Sequence, residues 1–193
     1  YEKIFLACNK HSKENILITD VGSAKKDIIT KINRIKRKDI NWISSHPIAG
    51  SEVSGPLNGN ENLFVNKWSV IINQKNSQNK EMKKILKFWK LLGSKTVSMD
   101  AVQHDKIFAI ISHLPHLIAY NLILTATNFK VSNKDNVLRF SAGGLRDFSR
   151  IAASNAIMWR DIFFNNKSNM LKVIDLFIKN LKIFKQDIKL RIS

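Results

Sequence analysis

Cysteine is almost absent from this sequence, which has only Cys8 among its 193 residues. A single cysteine excludes a disulfide within the chain and favours a reducing compartment, so we expect a cytoplasmic location. No apolar run approaches the roughly 20 residues that are needed to span a membrane, and no signal peptide is visible. We therefore predict that the protein has no membrane partner.

Acidic residues are also scarce, since 15 Asp and Glu stand against 32 Lys and Arg and give a formal net charge of +17. An excess of this kind is common in nucleic-acid-binding proteins. Here, however, the lysines are scattered through the chain among many Ile and Asn residues. Neither aromatic–basic interleaving nor zinc-finger spacing is present. We therefore predict no nucleic-acid partner.

The hydrophobic content of 44% is sufficient for a sizeable core and excludes a disordered chain. The length suits one large domain or two small ones. The sequence begins with Tyr1, inside a segment that is already patterned like a helix. We therefore expect the N-terminal part of a longer protein to be missing.

Short apolar runs alternate with helical patterns in the first half of the chain. We predict strands at 15–20, 41–44, 68–73 and 96–97, and helices at 1–11, 24–35 and 80–92, the last of them capped by Gly93. This alternation predicts an α/β domain whose parallel strands are joined by crossover helices.

The second half of the chain is predicted to be entirely helical. Helices are expected at 104–129, 141–154, 156–165 and 168–191, with a kink or a break at Pro115. These helices are too apolar for a single exposed layer, so we expect them to pack on each other and on a partner subunit. The predicted domains are therefore 1–99, which is α/β, and 100–193, which is all-α.

One histidine precedes a proline at the end of a predicted strand, at His46 and Pro47. Proline fixes its own φ and biases the preceding residue toward an extended conformation. Imidazole is also the side chain whose ordinary pKa suits proton transfer near neutral pH. A structural histidine is the default interpretation of this pattern alone, and other motifs in the chain overturn it.

Five motifs in order resemble the prephenate/arogenate dehydrogenase family of tyrosine biosynthesis. They are Asp-Val-Gly-Ser at 20–23, His-Pro-Ile-Ala-Gly-Ser-Glu at 46–52, Ser-His-Leu-Pro-His at 112–116, Gly-Gly-Leu-Arg-Asp-Phe-Ser-Arg-Ile-Ala at 143–152 and Met-Trp-Arg-Asp-Ile at 158–162. Each motif is weak by itself, but together they cover essentially the whole chain.

The resemblance implies the C-terminal half of a Rossmann-type nucleotide-binding domain followed by a helical dimerisation domain. It also implies a homodimer that uses NAD or NADP to oxidise and decarboxylate prephenate or arogenate. The family's Gly-rich dinucleotide fingerprint is not in this sequence, so the choice between NAD and NADP stays open. We expect the isolated chain to bind the dinucleotide poorly and to lack dehydrogenase activity.

The resemblance also implies two catalytic residues and a cofactor-binding turn in the first half. His46 would accept the proton of the substrate hydroxyl as hydride leaves, and Ser23 would hold His46 or the hydroxyl in line. The cofactor-binding residues would be Asp20, Val21, Gly22 and Ser23.

Arg150 is the implied anchor for the substrate carboxylate, because a guanidinium binds a carboxylate through two hydrogen bonds and keeps its charge. Arg146 lies four residues earlier on the same helix face and would serve a neighbouring subunit or pair with Asp147. Gly143 and Gly144 precede the two arginines, which favours a close backbone approach.

The remaining substrate-binding residues implied by the resemblance are Ser51, Glu52, Ser112, His113, His116 and Trp159. Glu52 would pair with an arginine at the pocket mouth as a gate, and Trp159 would either line the pocket or belong to the core. We predict no metal at His113 and His116, because no cysteine cluster completes a ligand set.

Two other interpretations stay open. The chain could be an inactive fragment that acts only as a helical dimerisation module. It could also be another Rossmann-plus-helical dehydrogenase acting on a hydroxy acid, a class that usually places a lysine base in its helical domain.

Overall fold

A computed structural model describes residues 1–50, 55–73, 79–129 and 140–190 of the chain. The chain forms two compact units, Tyr1–Asp105 and Lys106–Ser193, and each is described by itself. The division falls inside a helix, Ala101–Phe108, rather than before it at the predicted boundary of residues 99 and 100.

Four strands and three helices alternate in the first unit, at the positions that the apolar patterns predict. The elements are α1 (Glu2–His11), β1 (Leu17–Asp20), α2 (Lys26–Ile35), β2 (Asn41–Pro47), β3 (Trp68–Ile72), α3 (Asn79–Leu91) and β4 (Lys95–Met99), and they are followed by α4 (Ala101–Phe108). A short 3₁₀ turn, Pro56–Asn58, lies between β2 and β3.

The strands form one sheet in the order β1-β2-β3-β4. The pairs β1–β2 and β3–β4 are parallel, but β2 and β3 are antiparallel. The prediction of a parallel sheet with crossover helices was therefore wrong at β2–β3. Parallel neighbours need a long crossover, usually a helix. The described residues between these two strands contain only the 3₁₀ turn, so the chain returns beside β2 in the opposite direction.

The sheet is covered by apolar side chains on both faces. Successive residues of a strand point to opposite faces, and Trp42 and Ile43 of β2 accordingly belong to two different clusters. The first cluster is Phe5, Ile28, Ile32 and Trp42, and the second is Ile43, Ile71, Ile85 and Trp89. Burying each of these side chains contributes about 1.5–3 kcal/mol, so β2 is held firmly from both sides.

Gly93 ends α3 as the sequence predicts. Its φ of +81° lies in the left-handed region that favours glycine, and the Ser94 N–H donates to the Trp89 carbonyl across 3.0 Å. The predicted glycine cap is confirmed.

The only regular secondary structure in the described residues of the second unit is helical, as predicted. It contains α5 (Leu114–Asn128), α6 (Gly143–Ala152), α7 (Ala156–Asn165) and α8 (Lys167–Leu190). A π-helical segment, Ala109–His113, precedes α5.

Pro115 does not break its helix but follows this π-helical segment. The Leu114 N–H donates to the Ala109 carbonyl, five residues back, which defines the wider π turn. Proline has no N–H to donate to the carbonyl four residues earlier, so a local change in the hydrogen-bond pattern is expected beside it. Single π turns inside α-helices are frequent at functional sites, and this one contains Ser112 and His113.

Helical structure extends over 28 residues, Ala101–Asn128, and this segment is long and apolar enough to cross a membrane by length and composition. The expectation that no segment reaches that length was therefore wrong. Polar residues such as His113 interrupt the apolar run. The mean hydropathy of the segment nevertheless stays as high as that of a membrane-spanning helix. Apolar helices in the interior of soluble proteins meet the same criterion, so we infer no membrane contact from it.

A buried ion pair joins the ends of β1 and β2. The Lys25 side chain is 1% exposed, and its Nζ lies 2.7 Å from Asp20 Oδ2 at the end of β1. The same ammonium donates to the Ser45 carbonyl in β2. Trp42 Nε1 donates to Asp20 Oδ1 across 3.2 Å. One lysine therefore satisfies polar groups of both strands.

We predict that Lys25→Met lowers the free energy of unfolding of the chain by about 3–5 kcal/mol, because it leaves the Asp20 carboxylate buried without its cation. Urea unfolding followed by circular dichroism measures the change. Lys26→Met, at the exposed next position, is the matched control and should cost little. Equal losses in the two variants would contradict the prediction.

Candidate active site

The predicted catalytic residues of the first unit lie at one edge of its sheet. Asp20, the last residue of β1, pairs with Ser44 of the parallel strand β2. The turn that contains Ser23 therefore follows β1 at the same edge of the sheet as His46, the second-last residue of β2. Open α/β sheets bind ligands at the carboxyl ends of their parallel strands.

His46 is buried and held by a second histidine. It is 7% exposed, pairs with Val70 of β3, and places its Nδ1 2.8 Å from His104 Nε2. The two rings meet edge to face, with centroids 5.0 Å apart. His46 therefore has a fixed ring orientation.

Asp105 continues this chain of polar contacts. His104 Nδ1 lies 2.8 Å from Asp105 Oδ1, and both side chains are buried. The Asp105 carboxylate also accepts the backbone N–H groups of Lys25, across 3.0 Å, and Lys26, across 2.9 Å. These two N–H groups open α2, so Asp105 caps that helix from a distance of 80 residues in sequence.

His104 and Asp105 do not appear among the site residues predicted from the sequence. They lie outside the five motifs, at the start of a segment whose apolar pattern predicts only a helix. The one available signal is a His-Asp pair inside that pattern, because such polar residues are buried only when they are hydrogen-bonded.

His104 is held neutral by its surroundings. Burial lowers the pKa of its imidazole below the ordinary value, although the carboxylate of Asp105 acts in the opposite direction. The nearby ammonium of Lys25 also lowers this pKa. Near neutral pH, the ring therefore has one proton, on a single nitrogen.

The Asp20 carboxylate is surrounded by donors from the protein itself. Oδ2 accepts from the Gly22 N–H, from Lys25 Nζ and from the Tyr1 hydroxyl, and Oδ1 accepts from the Trp42 indole. Burial acts to raise the pKa of this carboxyl, but the Lys25 ammonium and these hydrogen bonds hold it below its ordinary value. Asp20 is therefore an ionised group that shapes the turn.

Tyr1 approaches Gly22 closely through the end of its side chain. A Cβ atom at position 22 would lie 1.7 Å from the Tyr1 hydroxyl oxygen, so no larger residue fits there without movement. Val21 beside it is 60% exposed, and Ser23 is half-buried. The turn thus offers Val21 and Ser23 at the sheet edge, and its predicted cofactor contacts stay a prediction.

Four of the predicted substrate-binding residues lie together in the second unit. His116 stacks on Trp159, with ring centroids 3.5 Å apart, and its Nδ1 donates to the Ser112 carbonyl across 3.0 Å. His113 is fully buried, meets Trp159 edge to face, and lies 3.2 Å from Asn166 Nδ2 through its own Nδ1. The π-helical turn, the first turn of α5 and α7 bring this aromatic cluster together.

Trp159 is mostly enclosed in that cluster. It is 7% exposed, and its indole Nε1 is a buried donor for which the described residues supply no acceptor. Burial also lowers the pKa of the stacked His116 imidazole, although its hydrogen bond to the Ser112 carbonyl opposes the shift. Both the core and the pocket interpretations of Trp159 are compatible with this position.

The two arginines behave differently from this buried cluster. Arg146 and Arg150 are exposed on α6, four residues apart. A Cβ atom added at Gly143 or Gly144 would meet nothing within 4 Å, so the close backbone approach expected there was wrong. Ser51 and Glu52 lie outside the described residues. Among the residues that the structure does describe, no three His, Cys, Asp or Glu side chains are grouped to hold a metal ion.

Comparison with protein-family models gives two matches that together span almost the whole chain. Residues 2–98 match "Prephenate dehydrogenase, nucleotide-binding domain". Residues 100–191 match "Prephenate dehydrogenase, dimerization domain".

Two curated relatives of the chain are named cyclohexadienyl dehydrogenase and prephenate dehydrogenase. The chain is 34% identical over 170 residues to the cyclohexadienyl dehydrogenase of Zymomonas mobilis, a match that covers 88% of this chain and 58% of the relative. It is 32% identical over 169 residues to the prephenate dehydrogenase of Bacillus subtilis, which covers 88% and 45%. The chain thus spans about half the length of these relatives.

Solved structures show the same similarity. The prephenate dehydrogenase of Aquifex aeolicus in complex with hydroxyphenyl propionate and NAD+ is 33% identical, with a TM-score of 0.90 over 98% of this chain and 65% of that chain. The arogenate dehydrogenase of Synechocystis is 24% identical, with a TM-score of 0.80 over 98% of this chain and 68% of that chain, and so supports the fold alone.

Proposed function

This chain belongs to the prephenate dehydrogenase family, and from that premise we propose that it serves the NAD(P)-dependent oxidative decarboxylation of prephenate or arogenate. The observation that carries the proposal is the buried His46 at the carboxyl end of β2, fixed by a hydrogen bond of 2.8 Å to a neutral His104. A neutral imidazole in a fixed orientation is suited to accept a proton.

The proposed reaction is an oxidation of the substrate hydroxyl followed by loss of the ring carboxylate. The ring carbon that bears the hydroxyl loses a hydride, and the hydroxyl oxygen loses its proton to His46, so this carbon becomes a carbonyl. The bond between the opposite ring carbon and its carboxylate then breaks and CO2 leaves. The electron pair of that bond moves through the ring onto the carbonyl oxygen, so the ring becomes aromatic and the oxygen takes back a proton, from the protonated His46 or from water. The nicotinamide, when bound, supplies the acceptor for the hydride.

We propose that the turn after β1 contacts the cofactor through Val21, Gly22 and Ser23, with Asp20 holding its shape. The turn lies at the carboxyl edge of a parallel strand pair, where nucleotide cofactors bind in such sheets. The first N–H groups of α2 are already bonded to Asp105, so this helix start does not offer the open amides of a pyrophosphate site. The proposed contact is therefore with the nicotinamide end.

The substrate-side residues proposed in the second unit are Arg150 with Arg146, and the cluster of Ser112, His113, His116 and Trp159. Ser51 and Glu52 complete the proposed set. The guanidinium groups offer fixed positive charge to the substrate carboxylates, and the stacked rings of His116 and Trp159 offer an apolar wall.

We predict that His46→Asn lowers kcat by about 10²–10⁴-fold, because it removes a positioned proton acceptor. NADH formation from prephenate is measured on this chain and on a fusion that places the N-terminal part of the Zymomonas mobilis relative before Tyr1. His11→Asn, at an exposed position, is the matched control. If His46→Asn leaves the kcat of the fusion unchanged, His46 is not the proton acceptor.

We predict that Arg150→Ala raises KM for prephenate by about 10-fold or more, because each hydrogen bond between charged partners contributes about 1.5–3 kcal/mol. Affinity for NAD+ should not change. Arg160→Ala, which removes an exposed arginine from α7, is the control. An unchanged KM for both prephenate and arogenate would assign Arg150 to structure.

We also propose that the chain forms a cytoplasmic homodimer through its helical half. Residues 100–191 match a dimerization domain. The second half of α8 exposes a set of large apolar side chains: Leu181, Ile183, Phe184, Ile188 and Leu190. Such side chains are expected to be covered by a partner subunit.

We therefore predict that Phe184→Asp converts the dimer to a monomer, because the charge would have to be buried in the interface. Phe184 is 65% exposed in the single chain, so its replacement should not disturb the fold of that chain. Light scattering at micromolar concentration measures the mass, and Gln186→Asp at a nearby exposed position of α8 is the control. A monomeric parent chain would refute the proposed dimer.

A further inference from the structure

We propose that His104 and Asp105 are positioning residues that hold the proton of His46 on Nδ1 and so leave the lone pair on Nε2. The tautomer itself follows from the contacts of three buried side chains. Its consequence for catalysis rests on the proposed function, in which His46 accepts the hydroxyl proton.

The first step of the argument concerns the carboxylate. Two backbone N–H groups at the start of α2 donate to Asp105, one to each oxygen. Each of the two oxygens therefore already acts as a hydrogen-bond acceptor toward the backbone. An ionised carboxylate can only accept hydrogen bonds. The contact of 2.8 Å from His104 Nδ1 to Asp105 Oδ1 therefore requires a proton on His104 Nδ1.

The second step concerns the pair of imidazoles. His104 is fully buried and neutral, so its single proton is on Nδ1 and its Nε2 has a lone pair. The distance of 2.8 Å between His104 Nε2 and His46 Nδ1 is that of a hydrogen bond. The donor in this bond has to be His46 Nδ1, because the other nitrogen is an acceptor.

The consequence is that Nε2 is the basic nitrogen of His46. Without such a constraint, a neutral imidazole can have its proton on either nitrogen, and which one is protonated is set by the hydrogen bond that the other makes. Two groups from α4 thereby select the proton-accepting nitrogen of a side chain in β2. His104 and Asp105 act through His46 and need no contact with the substrate.

The competing explanation is that His104 only fills space and Asp105 only caps α2. Both roles would affect stability when the residues are replaced, but neither would select a tautomer of His46. A spectroscopic measurement of that tautomer therefore separates the two explanations without requiring turnover.

The experiment is two-dimensional 1H–15N NMR of the 193-residue chain labelled with 15N-histidine, at a pH where the rings are neutral. The His46 signals are assigned by their loss in His46→Asn. We expect His46 Nδ1 to have the chemical shift of a protonated ring nitrogen and Nε2 that of an unprotonated one. The reverse assignment would overturn the proposal.

Two variants test the cause. His104→Phe keeps an aromatic ring but removes the acceptor for His46 Nδ1, and Asp105→Asn removes the acceptor-only carboxylate. In both, the His46 signals should move toward the average of the two tautomers. The control is Asp100→Asn, because the Asp100 side chain caps α4 through the N–H groups of Val102 and Gln103. Its contact with His104 is a backbone hydrogen bond, from the His104 N–H to the Asp100 carbonyl, which this substitution keeps. Unchanged His46 signals in both test variants would refute the proposed selection.

The same variants, made in the fusion with the N-terminal part of the Zymomonas mobilis relative, connect the tautomer to the reaction. His104→Phe should lower kcat on the order of 10–100-fold, as loss of an outer partner of a functional histidine does, while KM changes little. If the tautomer is as expected but His46→Asn leaves kcat unchanged, the proposed function fails and the tautomer selection stands. If His46→Asn lowers kcat but the proton is on Nε2, the proposed selection fails alone.

Discussion

The arrangement of the first unit depends on the burial of one lysine. The side chain of Lys25 places a charge inside the protein, and such a charge is tolerated only when it is paired and hydrogen-bonded. It meets Asp20 at the end of β1 and the Ser45 carbonyl in β2, which fixes the two strand ends together. The backbone N–H of the same residue binds Asp105, which joins the start of α2 to α4. The position of His104, and hence the ring orientation of His46, follows from these contacts.

Helices and strands were predictable from this sequence because their signals are local. The spacing of Ile28 and Ile32 indicates a helix, and Gly93 indicates where α3 ends. The direction of a strand has a weaker signal, because a continuous apolar run indicates burial on both faces, which is typical of parallel sheets. Here β3 is such a run and is antiparallel to β2. The antiparallel β2–β3 pair was therefore not predicted. His46 belongs to this pair, because it lies opposite Val70 of β3.

The candidate site was predictable only where its residues stand in contiguous motifs. His46 follows from the His-Pro pattern and the resemblance, and the cluster of Ser112, His113 and His116 follows from one short motif. His104 lies 58 residues from His46, and Asp105 lies 80 residues from Lys25, so no local pattern joins them. Their pairing is created by the packing of α4 against the sheet edge. Sequence reasoning could propose His46 as the proton acceptor, but it could not find the groups that orient its ring.

Burial, rather than opposite charge, sets the protonation of the histidines whose pKa is displaced. Desolvation is the main reason that the pKa of His104 and of His116 lies below the ordinary value, and the acceptors around them only oppose it. A carboxylate directly against His46 would instead favour the imidazolium and block proton acceptance. Placing neutral His104 between Asp105 and His46 avoids this, because the carboxylate fixes the direction of the hydrogen bonds while its charge stays one ring away. The order carboxylate, imidazole, imidazole therefore suits a base that has to be unprotonated before the reaction.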